Sequence, residues 1–139
     1  MGIWPARLFT RRRPPPPVRV EYSPEERVVL LVGILDDPAA REDEKYDAAM
    51  DLEEFSGPLV ESCLIRIVRA EDFTSVLAQL CAESLAGIWA RTGRVDPAFM
   101  AELRGPAKNE VFSILRDRAP HLLPPDARES ISGDRGPDG

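Results

Sequence analysis

Carboxylates are the side chains of this sequence most densely placed to do chemistry. Nine acids fall between Asp36 and Glu54, against only Arg41 and Lys45. Seven of them, Glu42, Asp43, Glu44, Asp47, Asp51, Glu53 and Glu54, share one predicted helix. Clustered carboxylates can hold a metal or move protons, but a di-metal carboxylate site draws Glu-x-x-His motifs from facing helices, and the sequence has none. Carboxylates on a single helix form either a solvated face or a face that docks another protein. At 100° per residue, Asp43, Asp47, Asp51, Glu54 and Glu44 project within an arc of about 100°. Ala48, Leu52 and Phe55 lie on a separate apolar arc, and Tyr46 and Met50 border the acidic stripe on its other flank. The expected binding set is therefore Asp43, Glu44, Asp47, Asp51 and Glu54, with Tyr46 and Met50 as apolar anchors, and the expected partner is a protein with a basic surface.

Other reactive residues are sparse. His121 is the only histidine, so a histidine-based metal centre is not expected, and no Cys-x-x-Cys occurs. A Cys–His nucleophile would need Cys63 or Cys81 to meet His121, yet both cysteines stand in apolar stripes that favour inert core thiols. Two such thiols suit a reducing, cytoplasmic setting. The glycines are scattered and form no phosphate-binding loop. The sequence thus leads to no catalytic residue, no metal ligand and no cofactor, and to a non-enzymatic role. A net charge of −6 argues against general affinity for nucleic acid or anionic lipid.

The elements that must position the acidic stripe are marked by proline. Of fourteen prolines, Pro24, Pro38, Pro58, Pro97, Pro106 and Pro120 stand at the edges of segments with helical apolar spacing, where a missing N–H is tolerated. Ser23-Pro24-Glu25-Glu26 reads as a capping box opening a first helix to about Leu35. Its apolar run Val28–Leu35 predicts a buried helix. Asp37-Pro38 repeats the cap-and-proline signal before a second helix, strongest over Arg41–Phe55. A third helix from Pro58 carries Leu59, Val60, Cys63, Leu64, Ile67 and Val68 on one face. The fourth, about Thr74–Arg91, carries Val76, Leu77, Leu80, Cys81, Leu85, Ile88 and Trp89, with Gly93 as its C-cap. Trp89 is expected in the core or, as an alternative, half-exposed at an interface. Asp96-Pro97 and Gly105-Pro106 open two further helices. No segment reaches the roughly eighteen apolar residues of a membrane span.

Ala49, Leu52 and Phe55 precede Ala82, Leu85 and Ile88 by thirty-three residues, and small-to-aliphatic spacing of this kind suits stacked helix pairs. Asp47-Ala48-Ala49-Met50-Asp51-Leu52, the Pro58–Val68 helix and Ala82-Glu83-Ser84-Leu85-Ala86-Gly87-Ile88-Trp89 together resemble bacterial HEAT-like repeat proteins. More loosely, they resemble the small all-helical immunity proteins of polymorphic or contact-dependent toxin systems. The resemblance covers about residues 25–120. It implies a protein-binding scaffold and, most concretely, an immunity protein that neutralises a cognate toxin. The fold expected is all-α, with about six short helices in stacked antiparallel pairs, a truncated HEAT-like α-solenoid. Residues 1–20, with five arginines, no acid and the run Pro14–Pro17, read as a disordered basic leader. Trp4, Leu8 and Phe9 give that leader the means to touch a membrane surface or the body's own acidic face. Residues 21–123 form the helical domain, and 124–139 read as a disordered tail. A second class of function is a structural or regulatory adaptor tethered through the leader.

Overall fold

The computed structural model of the protein describes residues 21–128. Within them the chain is all-helical, and its helices pack in antiparallel contacts. The α-helices are α1 (Pro24–Asp36), α2 (Glu42–Asp51), α3 (Pro58–Ala70), α4 (Val76–Thr92), α5 (Pro97–Glu102) and α6 (Gly105–Arg118). Three-residue 3-10 turns follow α2 at Leu52–Glu54 and α6 at Pro120–Leu122.

Two helix starts, those of α1 and α5, are set by the side chains that the sequence singles out, Ser23 and Asp96. The Ser23 hydroxyl accepts from the Glu26 N–H at 3.1 Å, and the Glu26 carboxylate accepts from the Ser23 N–H at 2.9 Å. Both bonds satisfy donors that the first turn leaves without intrahelical partners. The backbone N–H of Ser23, chief among these contacts, holds the Glu26 carboxyl below the usual glutamate range. Ser75 caps α4 through the Ala78 N–H at 3.0 Å, and Asp96 caps α5 through the Phe99 N–H at 3.0 Å. Gly93 ends α4 with φ of 76°, in the left-handed region that a C-cap glycine adopts without a Cβ clash.

Asp37-Pro38 does not open the second helix. Asp37 instead closes α1, its N–H donating to the Ile34 carbonyl at 3.2 Å. Its carboxylate accepts from the Ala39 N–H at 2.8 Å, an Asx turn that holds the chain out of helix. The helix begins five residues later at Glu42, where the Arg41 N–H donates to the Glu44 carboxylate at 2.9 Å. The buried-helix expectation for Val28–Leu35 also holds on one side only. Val28, Val32 and Leu35 are buried, whereas Val29 and Leu30 are 61% and 46% exposed.

The core is built around α4, which packs against α2, α3 and α6. Cys81, Ala82, Leu85, Ala86, Ile88 and Trp89 are all fully buried there. Trp89 is therefore core, its ring edge-on to Phe99 at a centroid distance of 6.4 Å. Of the echoed triplets, Ala49, Leu52, Ala82, Leu85 and Ile88 face the shared core with no exposure, and Phe55 is half-buried. Each large aliphatic side chain so enclosed contributes about 1.5–3 kcal/mol relative to exposure. Small residues let α2 approach α4: the buried Ser84 hydroxyl donates to the Ala49 carbonyl at 2.7 Å. Gly87 faces the Glu53 side chain so closely that an added Cβ would lie 2.7 Å from it.

The corner between α3 and α4 has no glycine, although Asp72 and Phe73 take φ of 52° and 65°. The strain is held in place by the burial of the Phe73 ring against Phe99 and by two backbone bonds. The Phe73 N–H donates to the Val68 carbonyl at 3.0 Å, and the Phe73 carbonyl accepts from the Ala107 N–H at 3.2 Å. Ion pairs then cross between elements, from Arg66 to Asp36, Arg69 to Glu102 and Arg104 to Asp72. All six side chains are largely solvated, so each pair adds little to stability.

The boundary expected at residue 123 is too early. Residues 125–128 are helical, Leu123 is buried and Ala127 packs on the core. Arg128 donates to the Leu123 and His121 carbonyls at 2.7 and 2.8 Å, which fastens residues 124–128 to the body. The leader, residues 1–20, and the remainder of the tail lie outside the described residues.

Candidate protein-docking surface

Helix α2 presents its buried side, Ala48 and Ala49, to α4 and turns its carboxylates outward. Asp43, Glu44, Asp47 and Asp51 are exposed on α2, and Glu54 is exposed on the 3-10 turn that follows. The change of period matters to the stripe. Three residues per turn aligns side chains at i and i+3, so Glu54 is brought into line with Asp51. Glu53 departs from its neighbours: it is half-buried and lies over Gly87.

The five carboxylates are not equivalent. Asp43 and Glu44 lie 3.2 and 3.8 Å from the Arg41 guanidinium, and Glu54 lies 3.8 Å from that of Arg27. Asp47 and Asp51 meet no cation among the described residues. They stand one turn apart on the same face, where like charges repel by about 0.2–0.5 kcal/mol. Met50 is 47% exposed beside them. Tyr46 is half-buried and packs against the core, so its ring is committed within the molecule and Met50 is the apolar side chain available beside the acids.

One contact that fixes the acidic segment escaped the sequence reading. Arg91 donates to the Glu53 and Phe55 carbonyls at 2.9 and 2.8 Å, satisfying the last turn before Ser56. It thereby fixes the end of the acidic segment against α4. A thirty-eight-residue separation hides such a bond from any local pattern.

The remaining reactive groups lie apart from this face. Cys63 and Cys81 are fully buried free thiols, and among the described residues no group of three or more His, Cys, Asp or Glu is placed to hold a metal. Burial is the main cause pushing both thiols up, opposed at Cys63 by the Arg66 guanidinium. His121 is exposed on the turn after α6. A cleft of about 580 Å³ lies beside α6 and residues 126–127, with Lys108, Phe112 and Arg116 in its wall. None of the described helices is long and apolar enough to cross a membrane. No family model, curated protein or solved structure matches the chain.

Proposed function

We propose that the protein is a non-enzymatic binding module that docks a basic protein surface against the outer face of α2 and its 3-10 extension. The observation that carries this reading is the pair Asp47 and Asp51, exposed one turn apart with no compensating cation among the described residues. Stability alone does not favour that pair, because their repulsion weakens the helix. A cationic partner would relieve the repulsion on binding and would be drawn in across a Debye length of about 10 Å. Met50 supplies an apolar contact inside the charged frame. Asp43, Glu44 and Glu54 extend the field at its rim, each able to exchange its internal arginine for a partner cation.

The likeness to HEAT-like repeat proteins and to helical immunity proteins gives the reading its most concrete form. The chain would act in the cytoplasm and neutralise a cognate toxin by occupying a basic cleft, such as the nucleic-acid-binding cleft of a nuclease. The test is an affinity pull-down from the native host with wild type and an Asp47→Lys/Asp51→Lys variant, followed by titration of the captured basic protein against both over a series of salt concentrations. Wild-type association should slow as salt rises, and the variant should associate about tenfold more slowly or worse while retaining its circular dichroism. Equal binding by the two proteins would reduce the acidic face to solvated surface.

A further inference from the structure

The solvent side of α1 carries an apolar groove that the rest of the described chain leaves uncovered. Tyr22, Val29 and Leu30 line it with 47%, 61% and 46% of their surfaces exposed, and Glu25 and Glu26 form its rim. Its volume is about 340 Å³. Adjacent exposed aliphatics on the outer face of a first helix, capped by a tyrosine, are an unsatisfied burial surface rather than scattered surface residues. The segment that enters α1 has the complementary composition. Residues 1–20 contain Trp4, Leu8 and Phe9, five arginines and no acid. They join the body next to Tyr22, at one end of the groove.

We propose that this leader folds back along α1 of the same chain, with Trp4, Leu8 and Phe9 against Val29 and Leu30 and its arginines facing Glu25 and Glu26. The reach is sufficient. Residues 10–19 span up to about 31 Å at the polyproline rise of about 3.1 Å per residue. The groove from Tyr22 to Leu30 runs only about 12 Å along the helix. A second copy of the body is a poorer occupant, because a symmetric pairing would set Glu25 and Glu26 against their own counterparts. Tethering also favours the leader over any free segment of similar chemistry, since a short linker gives it a millimolar effective concentration. The inference concerns a different helix face from the one assigned to partner docking and does not depend on it.

The full-length chain allows a direct test. A nitroxide attached at Ala6→Cys will label that site selectively, because Cys63 and Cys81 are buried. The backbone amide signals of residues 25–33 then report its approach, with α6 as the internal control. Stronger broadening of those signals than in a Leu8→Ser/Phe9→Ser variant and a Val29→Glu/Leu30→Glu variant is expected. The first variant alters only the leader and so keeps the test informative even where the second perturbs α1. Equal broadening in all three chains overturns the proposal. So does broadening passed from a labelled chain to an unlabelled, isotope-enriched one, which would mean that the leader crosses to a second copy. A Trp4 emission shift that needs anionic phosphatidylserine vesicles, without broadening in buffer, would make the leader a lipid-binding arm and also overturn it.

Discussion

Gly33 and Gly87 both sit inside helices, where glycine costs about 1 kcal/mol relative to alanine, yet their surroundings are opposite. Nothing lies within 4 Å of a Cβ added at Gly33, whereas at Gly87 that atom would meet the Glu53 carboxyl at 2.7–2.8 Å. Gly33→Ala should therefore stabilise the protein by about 0.5–1 kcal/mol. Gly87→Ala should gain less, or lose, because Glu53 must move from its half-buried position. Replacing Glu53 by Ala as well should restore most of the helix-propensity gain, measured as non-additivity in a urea-denaturation cycle. Additive effects would show that Glu53 does not press on Gly87. A glycine inside the fourth helix is visible in the sequence, but the neighbour that crowds it is not. Glu53 reads as one more solvated acid until the 3-10 turn redirects it inward.

At the level of the helix, legibility follows the range of the determining contact. Ser23, Asp96 and Gly93 cap their helices through groups within four residues, and each was readable from residue type and spacing alone. Asp37 offered two local solutions, a helix cap and an Asx turn, and the connection to α2 selects the turn. The outward position of Val29 and Leu30 depends on which side of α1 meets α2 and α3, which an unbroken apolar run does not specify. The same limit applies to the acidic stripe. Its exposure was legible from period alone, but the pairing of Arg27 with Glu54 and the inward turn of Tyr46 required the tertiary fold. The capping box makes a pH prediction. The folded carboxyl of Glu26 sits below its usual range, so its contribution is complete above the unfolded value and is lost as pH falls through the folded one. Glu102 behaves likewise, held down by the Arg69 guanidinium. Glu26→Gln should flatten the loss of stability between about pH 7 and about pH 3. Denaturant midpoints across that range check it, and an unchanged slope would remove Glu26 as a contributor.

For the molecule as a whole, one helix holds the rest together. Cys63 on α3 and Cys81 on α4 are buried in the same core, and burial favours their protonated, unreactive form. Modification by a disulfide reagent should therefore require opening of the α3–α4 packing, and the two thiols should react at one common rate. Leu85→Ala, expected to cost roughly 2–5 kcal/mol at a fully enclosed site, should accelerate both together. Reaction of one cysteine well ahead of the other would reveal an independently opening subunit of the fold. The central place of α4 also bears on how the chain is made. The apolar sides of α2 and α3 are complete in sequence by Ala70, but the helix that covers them ends only at Thr92. At about 5–20 residues per second, a ribosome needs roughly 1–4 s to add the intervening residues. For that interval the sides of Val60, Leu64 and Val68 that α4 covers have no native partner, although α1 is already in place to meet α3. Until α4 is added, the unfinished domain carries an exposed apolar side of the kind that promotes misassembly.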